Sequence, residues 1–229
     1  MRLSVVMPVY NEKAFVKGII EKVLSVHLPG IERELIVVND CSKDGTREVL
    51  ESLDLPGVRV FHHEQNRGKG AALRTGFAQA TVDIILVQDA DMEYNPEEYP
   101  VLLKPILDGH ADVVYGSRFL SGPHRVHLFW HMVGNKILTL LSNMMSNLNL
   151  TDMETCYKVF RRDVLRGITL RSDRFGFEPE FTLKVARGGW RVYEVPISYH
   201  GRDYAEGKKI GWKDGVSAVY TIIKYRLMD

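Results

Sequence analysis

Cysteine is scarce in this chain, with Cys41 and Cys156 the only two in 229 residues. Two thiols in a chain of this length make no disulfide framework, and a reducing compartment fits. Charge of one sign is equally missing. The balance is 30 Lys and Arg against 29 Asp and Glu, net +1, so the bulk basic signal of a nucleic-acid binder is absent. Long apolar runs are also lacking. The closest stretch, Val126 to Leu150, is interrupted by His131, Asn135, Lys136, Ser142 and Asn143 and falls short of the roughly 18 apolar residues of a membrane span. The opening segment Met1 to Pro8 has too short an apolar run, and no small-residue cleavage site, to read as a signal peptide. There is no internal repeat and no low-complexity tract. What remains is an ordinary globular composition, 45% hydrophobic, expected to form one domain.

The most informative stretch is Ile84-Ile85-Leu86-Val87-Gln88-Asp89-Ala90-Asp91. An apolar run reads as a buried strand, and two carboxylates spaced i, i+2 stand at its C-terminal tip. Open α/β sheets bind ligands at that edge. Two hard oxygen ligands there suit Mg²⁺ or Mn²⁺ on a diphosphate, because these ions take one or two carboxylates and fill the rest with phosphate and water.

Hydrophobic periodicity predicts alternating strands and helices. Strands are expected at Leu3 to Met7, Leu35 to Val38, Val58 to Phe61, Val82 to Val87 and Ala111 to Tyr115. Helices are expected at Ala14 to Val26, Thr46 to Leu53, Lys69 to Ala80 and Pro96 to Leu107. Repeated βα units imply a mainly parallel sheet with helices on both faces. The second half is less regular. Helices are expected at Phe129 to Leu148, Pro179 to Arg187 and Trp212 to Met228, and strands at Tyr157 to Phe160 and Arg191 to Val195. The Met132, Met144 and Met145 stripe is expected in the core. The apolar side of the last helix is read as Trp212, Val216, Val219, Tyr220 and Ile223.

Five loops then follow strand ends and should line one crevice. They carry Pro8 to Glu12, Asn39-Asp40, Asn66 to Gly70, Asp89 to Asp91 and Gly116-Ser117-Arg118. Tyr10 offers an aromatic face to a base. Glu12 and Asp40 offer acceptors to ribose hydroxyls or base N–H groups. Arg67 and Lys69 offer charge to phosphate. Gly68-Lys69-Gly70 is neither a Walker A motif nor a dinucleotide fingerprint. Asp40 alternatively caps the helix after Cys41. His127 and His131 share a helical face, but with no third ligand apparent they read as ordinary helix histidines rather than a zinc site.

With these pieces in order, the chain resembles a family 2 glycosyltransferase of the GT-A nucleotide-sugar fold. The resemblance rests on Val6 to Glu12, Val38 to Thr46, Asn66 to Gly70, Gln88 to Asp91 and Gly116 to Arg118. Asp152 to Phe160 and the loop around Arg202 and Gly207-Lys208-Lys209 narrow it to dolichyl- and polyprenyl-phosphate sugar synthases. That resemblance implies transfer of a sugar from a UDP- or GDP-sugar to a polyprenyl phosphate, with inversion. It implies that Pro8, Tyr10, Glu12 and Asp40 bind the nucleoside. Lys69 joins the nucleotide-sugar site, Asp89 and Asp91 hold the metal, and Glu93 adds a ligand. Ser117 and Arg118 would contact the acceptor phosphate, with Arg202 and Lys208 reaching in from a mobile loop at 199–211. It divides the single domain into a nucleotide-sugar half, 1–118, and an acceptor half, 119–229. Mannosyl-transferring members often carry Gly-Phe-Arg where Cys156-Tyr157-Lys158 stands here, so the sugar is left open.

The chemistry follows independently. Breaking a sugar–diphosphate bond develops negative charge that a divalent cation and nearby Arg or Lys stabilise. A phosphate monoester is already anionic at neutral pH, its second pKa being about 6, and can attack without a base. Arg118, Arg125, Arg202, Lys208 and Lys209 are the cations on offer to position it. A hydroxyl acceptor needs a base, for which Asp152 is the candidate. A sugar-phosphate nucleotidyltransferase is disfavoured, since Val9-Tyr10-Asn11-Glu12 replaces the Gly-rich basic loop expected after its first strand. A non-catalytic nucleotide-sugar sensor would not need the carboxylate pair. The expected setting is the cytosolic membrane face, with peripheral attachment through the Phe129 to Leu148 and C-terminal helices, with or without an anchoring partner protein.

Overall fold

The computed structural model describes residues 1–120, 128–201 and 212–228, with 212–214 as backbone only. Seven strands form one sheet in the order β3-β2-β1-β4-β6-β5-β7. In chain order the strands are β1 (Arg2–Val9), β2 (Glu32–Asn39), β3 (Val58–His62), β4 (Ile84–Val87), β5 (Val113–Ser117), β6 (Lys158–Arg161) and β7 (Val192–Pro196). The helices are α1 (Val16–Ser25), α2 (Thr46–Glu51), α3 (Lys69–Gln79), α4 (Tyr99–Leu107), α5 (Phe129–Ser146), α6 (Arg162–Arg166), α7 (Phe177–Arg187) and α8 (Trp212–Leu227).

Strands β1, β2, β3 and β4 pair in parallel, as do β5 and β7. Only β6 runs the other way, antiparallel to both β4 and β5. The sheet is therefore mainly parallel, as expected. Its buried strands are runs of Val, Ile and Leu rather than alternating sequences: Leu35 to Val38 and Ile84 to Val87 are all buried, as a sheet covered on both faces requires. Strand order reverses between β1 and β4, and at such a switch point the chain leaves the sheet in opposite directions and opens a crevice.

The two halves are clamped together at the start of α3. A Cβ at Gly70 would lie 2.2 Å from the Ser172 carbonyl oxygen. At Gly68, whose φ is +94°, it would lie 2.4 Å from that of Asp173. The Asp173 carbonyl accepts the Ala71 N–H at 3.0 Å, and Arg74 binds Ser172 and Asp173. These glycines permit the close approach of a segment about 100 residues later in the chain.

Helix α5 departs from the usual pattern. Among its inward residues Thr139 and Ser142 are buried, whereas Phe129, Trp130, Ile137, Leu140 and Met144 are exposed, Trp130 at 77%. The expected methionine core is thus corrected: Met145 packs against the core, but Met144 faces out. Helix α8 turns part of its expected apolar side outward. Ala218, Ile222 and Tyr225 are buried, and Val216, Tyr220 and Ile223 are exposed. Helices α5 and α8 pack side by side.

Candidate active site

The strand ends on both sides of the switch point surround a cavity of about 350 Å³, within the usual range for a small-molecule site. Pro8, Tyr10 and Glu12 reach it from the end of β1, Asp40 from β2, Lys69 from the first turn of α3, Asp89, Asp91 and Glu93 from beyond β4, and Arg118 from β5. Asn11, Cys41 and Met92 hold positive φ angles of 52°, 58° and 64° in three of these loops. Such angles cost free energy for non-glycine residues and concentrate at functional sites.

Asp40 organises its side of the wall. Its Oδ1 lies 2.7 Å from His63 Nδ1 and accepts the Arg67 N–H at 2.9 Å. Its Oδ2 accepts from Asn66 Nδ2 at 2.9 Å and from the Gly68 N–H at 2.7 Å. One carboxylate thereby shapes the loop that launches α3. Lys69 Nζ sits 3.0 Å from Asp89 and 3.0 Å from Glu178 Oε1. Burial works against its charge, but the two carboxylates outweigh burial and hold the ammonium's pKa well above its ordinary value. Beneath Asp89, the buried Gln88 accepts hydrogen bonds from Tyr99 and Tyr157 at 2.7 and 2.8 Å and donates to the Asp89 carbonyl at 2.9 Å. The turn is thus fixed from below. Asp91 Oδ1 accepts the Glu93 N–H at 3.2 Å, and Glu93 Oε2 accepts the Tyr199 hydroxyl at 2.6 Å.

Arg118 is held in a fork. Its Nε and a terminal nitrogen reach the two Asp152 oxygens at 2.6 and 2.8 Å, and its backbone N–H donates to Asp152 at 3.1 Å. Its guanidinium also lies 5.0 Å from the Tyr199 ring centre, within cation–π range. Burial opposes both charges of this pair. Each partner outweighs it for the other, so Arg118 lies well above and Asp152 below its ordinary pKa.

Two expected residues stand behind the wall rather than on it. Asp152 is fully buried. Ser117 is also buried, its hydroxyl 2.6 Å from Thr151 Oγ1 and accepting the Phe119 N–H at 3.1 Å. Arg202, Lys208, Lys209, Arg125 and His127 lie outside the described residues. Conversely, Tyr94, Glu154, Arg174, Phe175, Glu178 and Tyr199 line the cavity without having been assigned to it from sequence. A usable signal existed for Glu178. Helix α7 begins at Phe177, before the Pro179 expected, and Pro is at home in a first turn; extending the helix back would have put Glu178 at its N-terminal end.

No closed cage of three or more His, Cys, Asp or Glu exists among the described residues. Asp89 and Asp91 instead offer hard oxygen donors on an open wall. That donor set fits Mg²⁺ or Mn²⁺ sharing its shell with water and phosphate oxygens.

Fold and cavity together define the GT-A class of glycosyltransferases. Within it the chain belongs to glycosyl transferase family 2, whose pattern matches residues 4–169. It is 33% identical over 230 residues to the undecaprenyl-phosphate mannosyltransferase of Micrococcus luteus, covering 96% of this chain and 92% of that one. It is 30% identical over 220 residues to the polyprenol monophosphomannose synthase of Mycolicibacterium smegmatis, covering 92% and 82%. In structure it is similar to a glucosyl-3-phosphoglycerate synthase from Mycobacterium tuberculosis in complex with Mn²⁺, uridine diphosphate and phosphoglyceric acid. The TM-score is 0.77 at 21% identity, covering 100% of this chain and 79% of that one. The same enzyme with Mg²⁺ and uridine diphosphate gives a TM-score of 0.73 at 22% identity, with 98% and 79% covered.

Proposed function

We propose that this glycosyltransferase moves a sugar from a nucleoside-diphosphate donor to a polyprenyl phosphate, with inversion at the anomeric carbon. The observation that carries the proposal is the convergence of Asp89, Asp91, Lys69 and Arg118 on one cavity at the switch point, in a chain related over nearly its whole length to lipid-phosphate mannosyltransferases. Tyr10, 37% exposed at the rim, stacks on the base, and Glu12 accepts hydrogen bonds from the nucleoside. Asp40 acts by holding the loop that presents Lys69.

Asp89 and Asp91, with Glu93 beside them, hold a divalent ion. When bound, that ion neutralises charge developing on the departing diphosphate. Lys69, already flanked by carboxylates in a buried setting, adds positive charge beside Asp89. Arg118 orients the acceptor phosphate, and Asp152 keeps the guanidinium in place. An anionic acceptor needs no base. The engagement of both Asp152 oxygens by Arg118 supports this reading over a hydroxyl acceptor with Asp152 as base.

Membrane attachment belongs to the same proposal. No helix among the described residues is long and apolar enough to cross a membrane. The exposed apolar side chains of α5 and α8, with Lys136, Lys224 and Arg226 nearby in sequence, suit the headgroup boundary of a bilayer. The test is a screen of UDP- and GDP-sugars with Mn²⁺ or Mg²⁺ and a short polyprenyl phosphate. The expected result is release of nucleoside diphosphate with a lipid-soluble labelled product. Transfer only to water-soluble hydroxyl acceptors would refute the lipid assignment.

A further inference from the structure

The cavity has a second acidic feature apart from the Asp89 and Asp91 turn. Glu178 is 3% exposed. Its Oε1 is bound by Lys69, but its Oε2 is buried with no hydrogen-bond partner. Glu154 also lines the cavity, and its Oε1 is likewise buried and unpartnered. An unpaired buried polar group is costly, so two on one cavity wall point to a ligand that completes them.

Sheet topology says which part of a ligand that is. Tyr10 and Asp40 follow β1 and β2, on one side of β4. Glu154 precedes β6, on the other side, and because β6 is antiparallel its start lies at the same sheet edge. The Glu154 segment is fixed from behind: Lys158 Nζ, fully buried, binds the Met153 and Thr155 carbonyls on either side of Glu154. An apolar group would leave both oxygens unpaired. A polyhydroxylated group satisfies them.

We infer that Glu154 and Glu178 form the hydroxyl-recognition wall for the sugar being transferred, and so determine which sugar is accepted. The inference rests on the proposed function, with the nucleoside on the β1–β2 side and the diphosphate at Asp89 and Asp91. Burial, and then the charge of Glu178, push the Glu154 carboxyl up to about 8. That shift favours the protonated carboxyl, which both donates and accepts, whereas Glu178, paired with Lys69, accepts. That combination reads one hydroxyl as acceptor and a neighbour as donor. A site built to bond hydroxyls rejects analogues lacking them far more strongly than an apolar pocket rejects a missing methylene.

The experiment measures binding of UDP, GDP, UDP-glucose, UDP-galactose and GDP-mannose, with Mn²⁺, to the full chain and to Glu154→Gln, Glu154→Ala and Glu178→Gln. For the sugar nucleotide that binds best, single-hydroxyl deoxy analogues are added. The expected result is that Glu154→Ala weakens that sugar nucleotide at least tenfold and leaves the matching nucleoside diphosphate within about twofold. The expected deoxy penalty shrinks in the variant, because the lost partner is already gone. Glu154→Gln, which keeps a donor and an acceptor, retains more of the selectivity than Glu154→Ala. Equal weakening of nucleotide and sugar nucleotide, or an unchanged deoxy penalty, overturns the inference alone. Failure of the unaltered chain to bind either nucleoside diphosphate overturns the proposed function and the inference with it.

Discussion

The two halves of the cavity are built by different means. On the β1–β4 side, the cavity residues lie in loops that follow parallel strands or, for Lys69, in the first turn of the helix after such a loop. On the β5–β7 side, the wall comes from the approach to an antiparallel strand, the first turn of α7 and the segment after β7. There position along a strand says little, and burial with pairing decides what each residue does. The forked Arg118–Asp152 pair and the Glu154–Glu178 wall both belong to this second side. The first half carries the Asp89 and Asp91 carboxylates and Lys69 on the cavity wall; the second holds charges in a low-dielectric setting, where their interactions are stronger.

The largest expected effect lies at the junction of the halves. Asp89→Ala or Asp91→Ala should lower transfer by about 10²–10³-fold or more, the scale of losing a stabiliser of developing charge, with an unchanged circular dichroism spectrum. Turnover retained in either variant would remove the metal assignment. Next comes the second half's own signature. Asp152→Ala leaves the Arg118 guanidinium buried without its partner, and the expected loss is about 3–5 kcal/mol of stability in denaturant unfolding. Arg118→Met combined with Asp152→Leu should be less damaging than the sum of the two, since they act as one unit. Additive losses would show that the pair is not coupled. Because the folded pKa of Asp152 lies below its ordinary value, its contribution is present above about pH 3.9 and is lost as pH falls below that through the folded value.

Glu154 carries the opposite sign. Burial and the charge of Glu178 push its carboxyl up to about 8 in the folded chain, against about 4.3 when unfolded. Between those values the folded state holds the extra proton, so stability falls as pH rises, by at most about 1.4 kcal/mol per pH unit for one proton. Thermal unfolding of Glu154→Gln between pH 5 and 8 should show a flatter dependence than the unaltered chain. An identical slope would mean that burial and the negative charges of Glu178 and Asp152 do not hold its proton against the opposing pull of Lys158 and Arg118. A surface effect of about tenfold is expected for Trp130→Ser with Tyr220→Ser, read as sedimentation with anionic vesicles. Undiminished binding would move the membrane contact away from α5 and α8. The smallest effect belongs to Tyr10→Ala, which should weaken nucleotide binding by about 1 kcal/mol, the lower end of an aromatic stacking contact. No change would take the base away from the rim.

The same division explains how much of the molecule could be read from its sequence. Strands β1 to β5 and the loops after them were legible because buried parallel strands are continuous apolar runs and the polar residues after them stand out. Tyr10, Glu12, Asp40, Lys69, Asp89 and Asp91 all reach the cavity. In the second half of the chain the cues were weaker. Val216, Tyr220 and Ile223 on the apolar side of α8 are exposed, and periodicity alone cannot say which apolar stripe meets the rest of the protein. Gly68 and Gly70 lie against residues 172–174, a contact that no local pattern encodes. Glu178 was signalled only by Pro179, which fits the first turn of a helix that starts earlier, and Glu154 not at all, because a carboxylate in sequence carries no mark of being buried.

The most direct test is a crystal of the full chain soaked with Mn²⁺ and UDP or GDP. The account predicts anomalous metal density bound by Asp89 and Asp91, with the diphosphate on that metal and the base beside Tyr10. Metal and nucleotide located together elsewhere on the molecule would contradict it.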